Sequence, residues 1–294
     1  MNVLITGTSS GFGYLTAIEL ARRGQRVFAS MRAPDGRNAE SARRLRDQAG
    51  PSLQVLPLDV TDEISVERAF AQLSDQGVEL DVLVNNAGVA AGGVTESFTA
   101  ADANRIFDVN VFGTLRTTRA ALPGMRAQRR GLVINVGSTM GREVVPFLAL
   151  YEASKFALEG LWEAWRYELG IHGIEVVLVQ PGTFPTTGMA TRLLPPSDPT
   201  RADGYEALLP KIDRFFDDLD GYARSGGAPD PMLVARAIAD TIELPAGARP
   251  FRLLLDPNGS GAAARMNTLA AVEQRALLSH LGLEELDHSF GVMP

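Results

Sequence analysis

The stretch NVLITGTSSGFGYLTAIELARRG, residues 2–24, decides how the rest of the chain is read. NVLIT (2–6) is a short unbroken apolar run, as in a strand buried on both faces. From Phe12 to Arg23, Leu15, Ile18, Leu20 and Ala21 recur at helical spacing, and Gly24 stops the helix. Between them lies TGTSSGFG, with Gly7, Gly11 and Gly13. A strand that turns through glycines into a helix lets an anion approach the free N–H groups at the helix N-terminus, where the dipole also favours it. The spacing is not the common GxGxxG, so the support comes from the position of the loop between strand and helix.

The same alternation continues. Strands are expected at Arg26–Ser30, Leu53–Val60, Asp81–Gly88, Gly131–Ser138, Ile174–Gly182 and Phe251–Leu255. Helices are expected at Ala39–Gln48, Thr61–Leu73, Asp102–Gln128, Leu150–Leu169, Pro231–Leu244 and Ala262–Leu281. Continuous Val/Ile/Leu strands with intervening helices predict an α/β fold, a Rossmann-type doubly wound parallel sheet covered on both faces. A single dinucleotide-binding domain over residues 1–294 is expected. The Pro-, Gly- and Asp-rich segment at about 186–230 reads as a partly helical insertion over the site, and residues 260–294 as a helical tail.

Composition narrows the function. The 294 residues are 45% hydrophobic with a net charge of −7, a balance that speaks against a nucleic-acid surface. There is no cysteine, so neither a disulfide nor a thiolate site is available. No apolar run reaches the roughly 18 residues of a membrane span. The N-terminus carries no basic-then-apolar leader, and a cytoplasmic location is expected. His172, His280 and His288 are scattered and lack metal-ligand spacing, so no metal is expected.

The second strand ends FASMRAPDG, with Met31 at the position where an acid would bind a ribose hydroxyl and Arg32 after it. The arginine suits a 2′-phosphate, so NADP(H) is preferred, with NAD(H) possible. YEASK, residues 151–155, places Tyr151 and Lys155 on one helical face, with Glu152 and Ala153 as spacers.

TGTSSGFG, Asp59, NNAG (85–88), Asn110, Ser138, YEASK and PGTFPT (181–186) occur in one order. The chain strongly resembles the short-chain dehydrogenase/reductase family in its short single-domain form, and YEASKFALEGLWEA looks like the hydroxysteroid and retinol dehydrogenase branch. The resemblance implies roles residue by residue. Tyr151 would be the acid/base, Lys155 the ribose-binding cation that lowers the tyrosine pKa, Ser138 the partner of the substrate oxygen, and Asn110 the holder of a relay water. The cofactor wall would comprise Gly7, Ser9, Ser10, Gly11, Phe12, Gly13, Arg32, Asp59, Val60, Asn86, Ala87, Gly88, Pro181, Gly182, Phe184 and Thr186, with Tyr151 and Lys155; of these, Ser10 and Arg32 fall where NADP-using members bind the 2′-phosphate. Two positions depart from the family pattern: Gly137, where serine is common, and Phe12, where a small aliphatic is usual. A homodimer or homotetramer is expected from the resemblance, with Trp162 and Trp165 in the core or an interface.

The chemistry these residues imply is reversible carbonyl reduction. A free tyrosine titrates near 10, and bringing it close to neutrality takes about 4 kcal/mol of differential stabilisation. A lysine on the same face and the positive nicotinamide of the oxidised cofactor favour the phenolate. The substrate wall, drawn from Ser138, Met140, Phe147, Tyr151 and Met189 with Val89, Ala90, Thr139, Pro146, Phe184, Leu193 and Leu194, is mainly apolar. It suits a small apolar ketone, aldehyde or alcohol. Competing readings are a non-catalytic NADP(H)-binding regulator, an NAD-dependent alcohol dehydrogenase of the same fold, and an epimerase or dehydratase of the extended relatives. The regulator would be expected to lose Tyr151, Lys155 or Ser138. The extended relatives would have another glycine spacing and a larger substrate domain.

Overall fold

Each strand places alternate side chains on opposite faces of the sheet, and here both faces are covered. A computed structural model describes residues 1–188 and 192–287. Among them β1 (Asn2–Ile5), β2 (Arg26–Met31), β3 (Leu53–Pro57), β4 (Val82–Asn85), β5 (Gly131–Val136), β6 (Ile174–Pro181) and β7 (Arg252–Leu255) form one sheet. All pairs are parallel, in the order β3-β2-β1-β4-β5-β6-β7. Val3 and Ile5 join Val84 and Ile134 in the core on one face. Leu4 joins Leu83, Val133 and Trp162 on the other. This two-sided burial accounts for the unbroken apolar runs.

The helices are α1 (Gly11–Arg22), α2 (Ala39–Ala49), α3 (Glu63–Asp75), α4 (Ala100–Phe107), α5 (Gly113–Gln128), α6 (Ala149–Gly170), α7 (Leu209–Arg224), α8 (Met232–Glu243) and α9 (Ala262–Leu281). The order of strands reverses direction between β1 and β4, and the crevice at the carboxyl ends of those strands is where such folds bind ligands. Trp162 is fully buried and makes an edge contact with Trp165 at 4.8 Å between centroids.

Two expectations change. The helix expected from Asp102 to Gln128 is broken by a π turn at Asp108–Phe112, a local widening of the kind common at functional sites. Arg116 pins this turn. Its Nη2 lies 2.7 Å from the Asp108 carboxylate, and its Nη1 donates to the Val60 carbonyl at 3.2 Å. A periodicity argument sees only that apolar residues keep recurring, and a single extra residue in one turn escapes it. β3 also stops at Pro57: the chain turns at Asp59, whose carboxylate accepts from the Thr61 N–H and hydroxyl, and Leu58, Asp59 and Val60 line the cleft.

The insertion contains α7 and short 3-10 turns. It is tied down at Leu194, whose N–H donates to Ala90 at 2.9 Å, and at Ser197, whose hydroxyl donates to Asp102 at 2.5 Å. Met189 and the tail from residue 288, including His288, lie outside the described residues. No helix among the described residues is long and apolar enough to cross a membrane.

Candidate active site

The glycine loop is shaped by its fit to the NNAG turn. Gly7 and Gly11 have φ of 71° and 61°, left-handed conformations that glycine adopts without penalty. A Cβ on Gly7 would also stand 2.7 Å from the Ala87 Cα. Gly13 has a different task. It does not line the cleft; a Cβ there would stand 2.3 Å from the Asn86 Nδ2 and 2.7 Å from the Gly7 carbonyl. Asn86 Nδ2 donates to the Thr6 and Gly7 carbonyls at 2.9 and 3.1 Å. Thr6 Oγ1 accepts from the N–H groups of Asn86 and Ala87. The loops after β1 and β4 are thus one hydrogen-bonded unit. Phe12 packs edge-on against Phe184 at 5.4 Å, which explains how the larger ring is accommodated at that position.

The opposite wall carries Ser138, just past β5, and Tyr151 and Lys155 on the first turns of α6. Ser138 Oγ accepts from the Met140 N–H at 3.1 Å, which leaves its own O–H to donate. Lys155 Nζ donates to the Val136 carbonyl at 3.0 Å and lies 5.5 Å from the Tyr151 ring centroid. Burial pushes the Tyr151 hydroxyl up to about 12; a hydrogen bond with Ser138 pulls the other way and is outweighed. Burial likewise pushes the Lys155 ammonium down to about 8. The expected lowering of Tyr151 by Lys155 is therefore not a property of this chain by itself. Both groups are desolvated by the same packing, and desolvation disfavours whichever form is charged.

Asn110, in the π turn, spends its carboxamide on the chain. Oδ1 accepts from the Val89 N–H at 2.8 Å, and Nδ2 donates to the Val89 carbonyl and to Ser154 Oγ at 2.9 Å each. Ser154 in turn donates to the Tyr151 carbonyl at 2.6 Å. The side chain braces α6 and does not line the cleft. Glu152 is no spacer. It is buried, and its Oε1 accepts from the Val145 N–H at 2.7 Å, fixing the loop between Ser138 and α6.

These walls enclose a cleft of about 640 Å³. It brings together Gly7, Ser9, Ser10, Gly11, Phe12, Arg32, Asp59, Val60, Asn86, Ala87, Gly88, Ser138, Met140, Tyr151, Lys155, Pro181, Gly182 and Phe184. Thr187 lines it where Thr186 was expected. Phe147 stands behind the wall, edge-on to Phe215 at 6.0 Å. Sequence reasoning missed Arg37, Asn38, Arg192, Phe215, Phe216 and Leu219. Gly92 makes room for one of them, since a Cβ there would meet the Phe216 ring at 2.6 Å, a relation no local pattern carries.

A family model described as short chain dehydrogenase matches residues 1–197. The chain belongs to the short-chain dehydrogenase/reductase family. Within it the relatives include hydroxysteroid and retinol dehydrogenases. The chain is 40% identical over 184 residues to a 3-ketodihydrosphingosine reductase of Bacteroides thetaiotaomicron, covering 63% of this chain and 64% of that one. It is 35% identical over 251 residues to retinol dehydrogenase 8 of Bos taurus, covering 82% and 77%. The match therefore spans slightly less than two thirds of the first relative and about three quarters of the second.

Among solved structures, a short-chain dehydrogenase from Streptomyces avermitilis superposes with a TM-score of 0.73 at 30% identity, over 95% of this chain and 96% of that one. A serine dehydrogenase complexed with NADP+ gives 0.71 at 28% identity, over 87% and 94%. A family member from Burkholderia phymatum in complex with NAD gives 0.71 at 27%, over 96% and 94%.

Proposed function

We propose that the protein is an NADP(H)-dependent oxidoreductase that interconverts an apolar ketone or aldehyde and its alcohol, with Tyr151 as the proton donor and acceptor. The observation that carries this reading is one cleft with two unlike ends. On the β5 side Ser138 and Tyr151 line it with Met140, Leu148, Leu193 and Phe216; on the β2 side it is lined by Met31, the last residue of that strand, with Arg32 and Arg37.

A dinucleotide fits the residues present. The glycine loop offers a cradle that a Cβ would fill, and the N-cap hydroxyl of Ser10 makes no bond to its own helix, so the first-turn N–H groups of α1 can receive an anion. Arg32 and Arg37, with Asn38 beside them and no carboxylate at the tip of β2, favour a 2′-phosphate over a bare ribose hydroxyl. The solved neighbours hold NADP+ in one case and NAD in another, so the fold accommodates both and the arginines supply the preference.

A nicotinamide held by the glycine loop and Lys155 would supply the hydride chemistry at the carbonyl carbon, in either direction. Ser138 donates a hydrogen bond to the carbonyl oxygen as charge builds on it. Tyr151, a neutral phenol at physiological pH, gives its proton to that oxygen. The Lys155 ammonium, on the same face, stabilises the phenolate left behind. The neutral phenol is the form the reductive direction needs. The apolar wall admits a substrate without charge next to the reacting carbon.

The test is oxidation of NADPH and NADH against a panel of apolar aldehydes and ketones, with Tyr151→Phe alongside. Turnover faster with NADPH, falling about 100-fold or more in the variant while cofactor binding is kept, supports the reading. Faster turnover with NADH refutes the role of the arginines. Tight cofactor binding with no turnover across carbonyls and alcohols refutes the enzyme.

A further inference from the structure

In a chain of net charge −7, the cleft is cationic. Arg32, Arg37, Lys155 and Arg192 line it, and among the described residues Asp59 is its one carboxylate. The first three are accounted for by the 2′-phosphate and the catalytic wall. Arg192 is not. It comes from the insertion, far along the chain, yet returns to the glycine loop.

Its geometry is specific. Nε donates to the Gly188 carbonyl at 2.8 Å and Nη2 to the Thr187 carbonyl at 3.0 Å. These two bonds fix the plane of the guanidinium. Nη1 then donates to Ser10 Oγ at 2.9 Å, and Ser10 is the N-cap of α1. All three acceptors are neutral. Arg116, Arg142, Arg249 and Arg252 each pair with a carboxylate; Arg192 has no such partner among the described residues. A guanidinium has five N–H donors, and three are used. A charge-unpaired, preoriented arginine thus meets the open end of α1, where the N–H groups and the helix dipole already favour an anion.

We propose that Arg192 is a ligand of the dinucleotide diphosphate, pairing with its oxygens and fastening the start of the insertion to the glycine loop through the bound nucleotide. This rests on the reading of the cleft as a dinucleotide site. The planar fork matches phosphate oxygens in a way a lysine cannot. Arg192 also holds the Thr187 carbonyl, which faces Gly11, whereas Arg32 follows the last residue of β2, so the two arginines approach the cleft from different walls.

The experiment measures dissociation constants of the full chain, Arg192→Ala, Arg192→Lys and Arg32→Ala for four probes. NADPH carries both the diphosphate and the 2′-phosphate, NADH and ADP-ribose carry only the diphosphate, and adenosine 2′-monophosphate carries only the 2′-phosphate. Removing Arg192 should weaken NADPH, NADH and ADP-ribose by a common factor of about 10 or more and leave adenosine 2′-monophosphate unchanged. Arg32→Ala should weaken NADPH and adenosine 2′-monophosphate only. Arg192→Lys should recover part of the loss, because it keeps the charge without the fork.

Unchanged ADP-ribose affinity in Arg192→Ala overturns the proposal, and so does an equal loss for adenosine 2′-monophosphate, which would mean that the arginine serves the 2′-phosphate beside Ser10 or merely caps the turn at Thr187 and Gly188. A full chain that binds none of the four probes removes the dinucleotide reading itself, an outcome distinct from the failure of Arg192 alone.

Discussion

Replacing Lys155 by methionine should change how stability depends on pH. The lysine is buried, and among the described residues its Nζ donates only to a backbone carbonyl, that of Val136 at 3.0 Å. Burial holds its ammonium at about 8, whereas in an unfolded chain it titrates near 10.4. Between those values the unfolded state keeps a proton that the folded state has released, so stability rises with pH. From pH 7 to pH 10 the gain is about 2.5 kcal/mol.

Methionine is similar in length and cannot titrate, so the variant lacks this gain, and the contributions of other groups cancel in the difference between the two proteins. Tyr151, held at about 12, has the opposite sign: its stability contribution is lost as pH rises from about 10 towards 12, beyond the window used. Urea-unfolding free energies of both proteins at pH 7 and pH 10 provide the check. The wild type should gain about 2.5 kcal/mol on the variant between the two pH values. A gap that stays constant, or that moves in favour of methionine, refutes the claim that burial governs this lysine.

Two further predictions concern activity and packing. Because Tyr151 stays a phenol to about 12 and Lys155 loses its proton through about 8, kcat/KM for carbonyl reduction should be level through neutrality and fall above about pH 8, measured from pH 6 to 10 with NADPH; a rise over that range contradicts it. Gly13→Ala should cost about 1–3 kcal/mol, since the new methyl meets the Asn86 amide and the Gly7 carbonyl at impossible distances. Gly160→Ala, in the interior of α6 with nothing within 4 Å of the added Cβ, should gain up to about 1 kcal/mol. Equal effects in urea unfolding would show that local packing is not what distinguishes the two glycines.

The sequence by itself determined the layered fold and named many of the residues that line the cleft. Runs such as VLI in β1 require burial on both faces, and helical spacing alone puts Tyr151 and Lys155 side by side. Each is local information, carried by neighbours a few residues apart. The glycine loop could also be placed, because its meaning lies in what precedes and follows it along the chain.

Tertiary structure decided what depends on segments distant in sequence. Arg192 reaches Ser10 across 182 positions, and no spacing rule connects them. Gly13 proved to be a packing position against Asn86, and Asn110 a brace for α6, because both are defined by what approaches them in space. The break at Asp108 needed the neighbouring strand end and Arg116 to hold it. The largest difference concerns charge. From the sequence, a cation next to a tyrosine argues for a lowered pKa; in the fold, burial raises Tyr151 and lowers Lys155. Desolvation depends on how much of the chain surrounds a group, and that is set only when the whole sheet and its helices close around it.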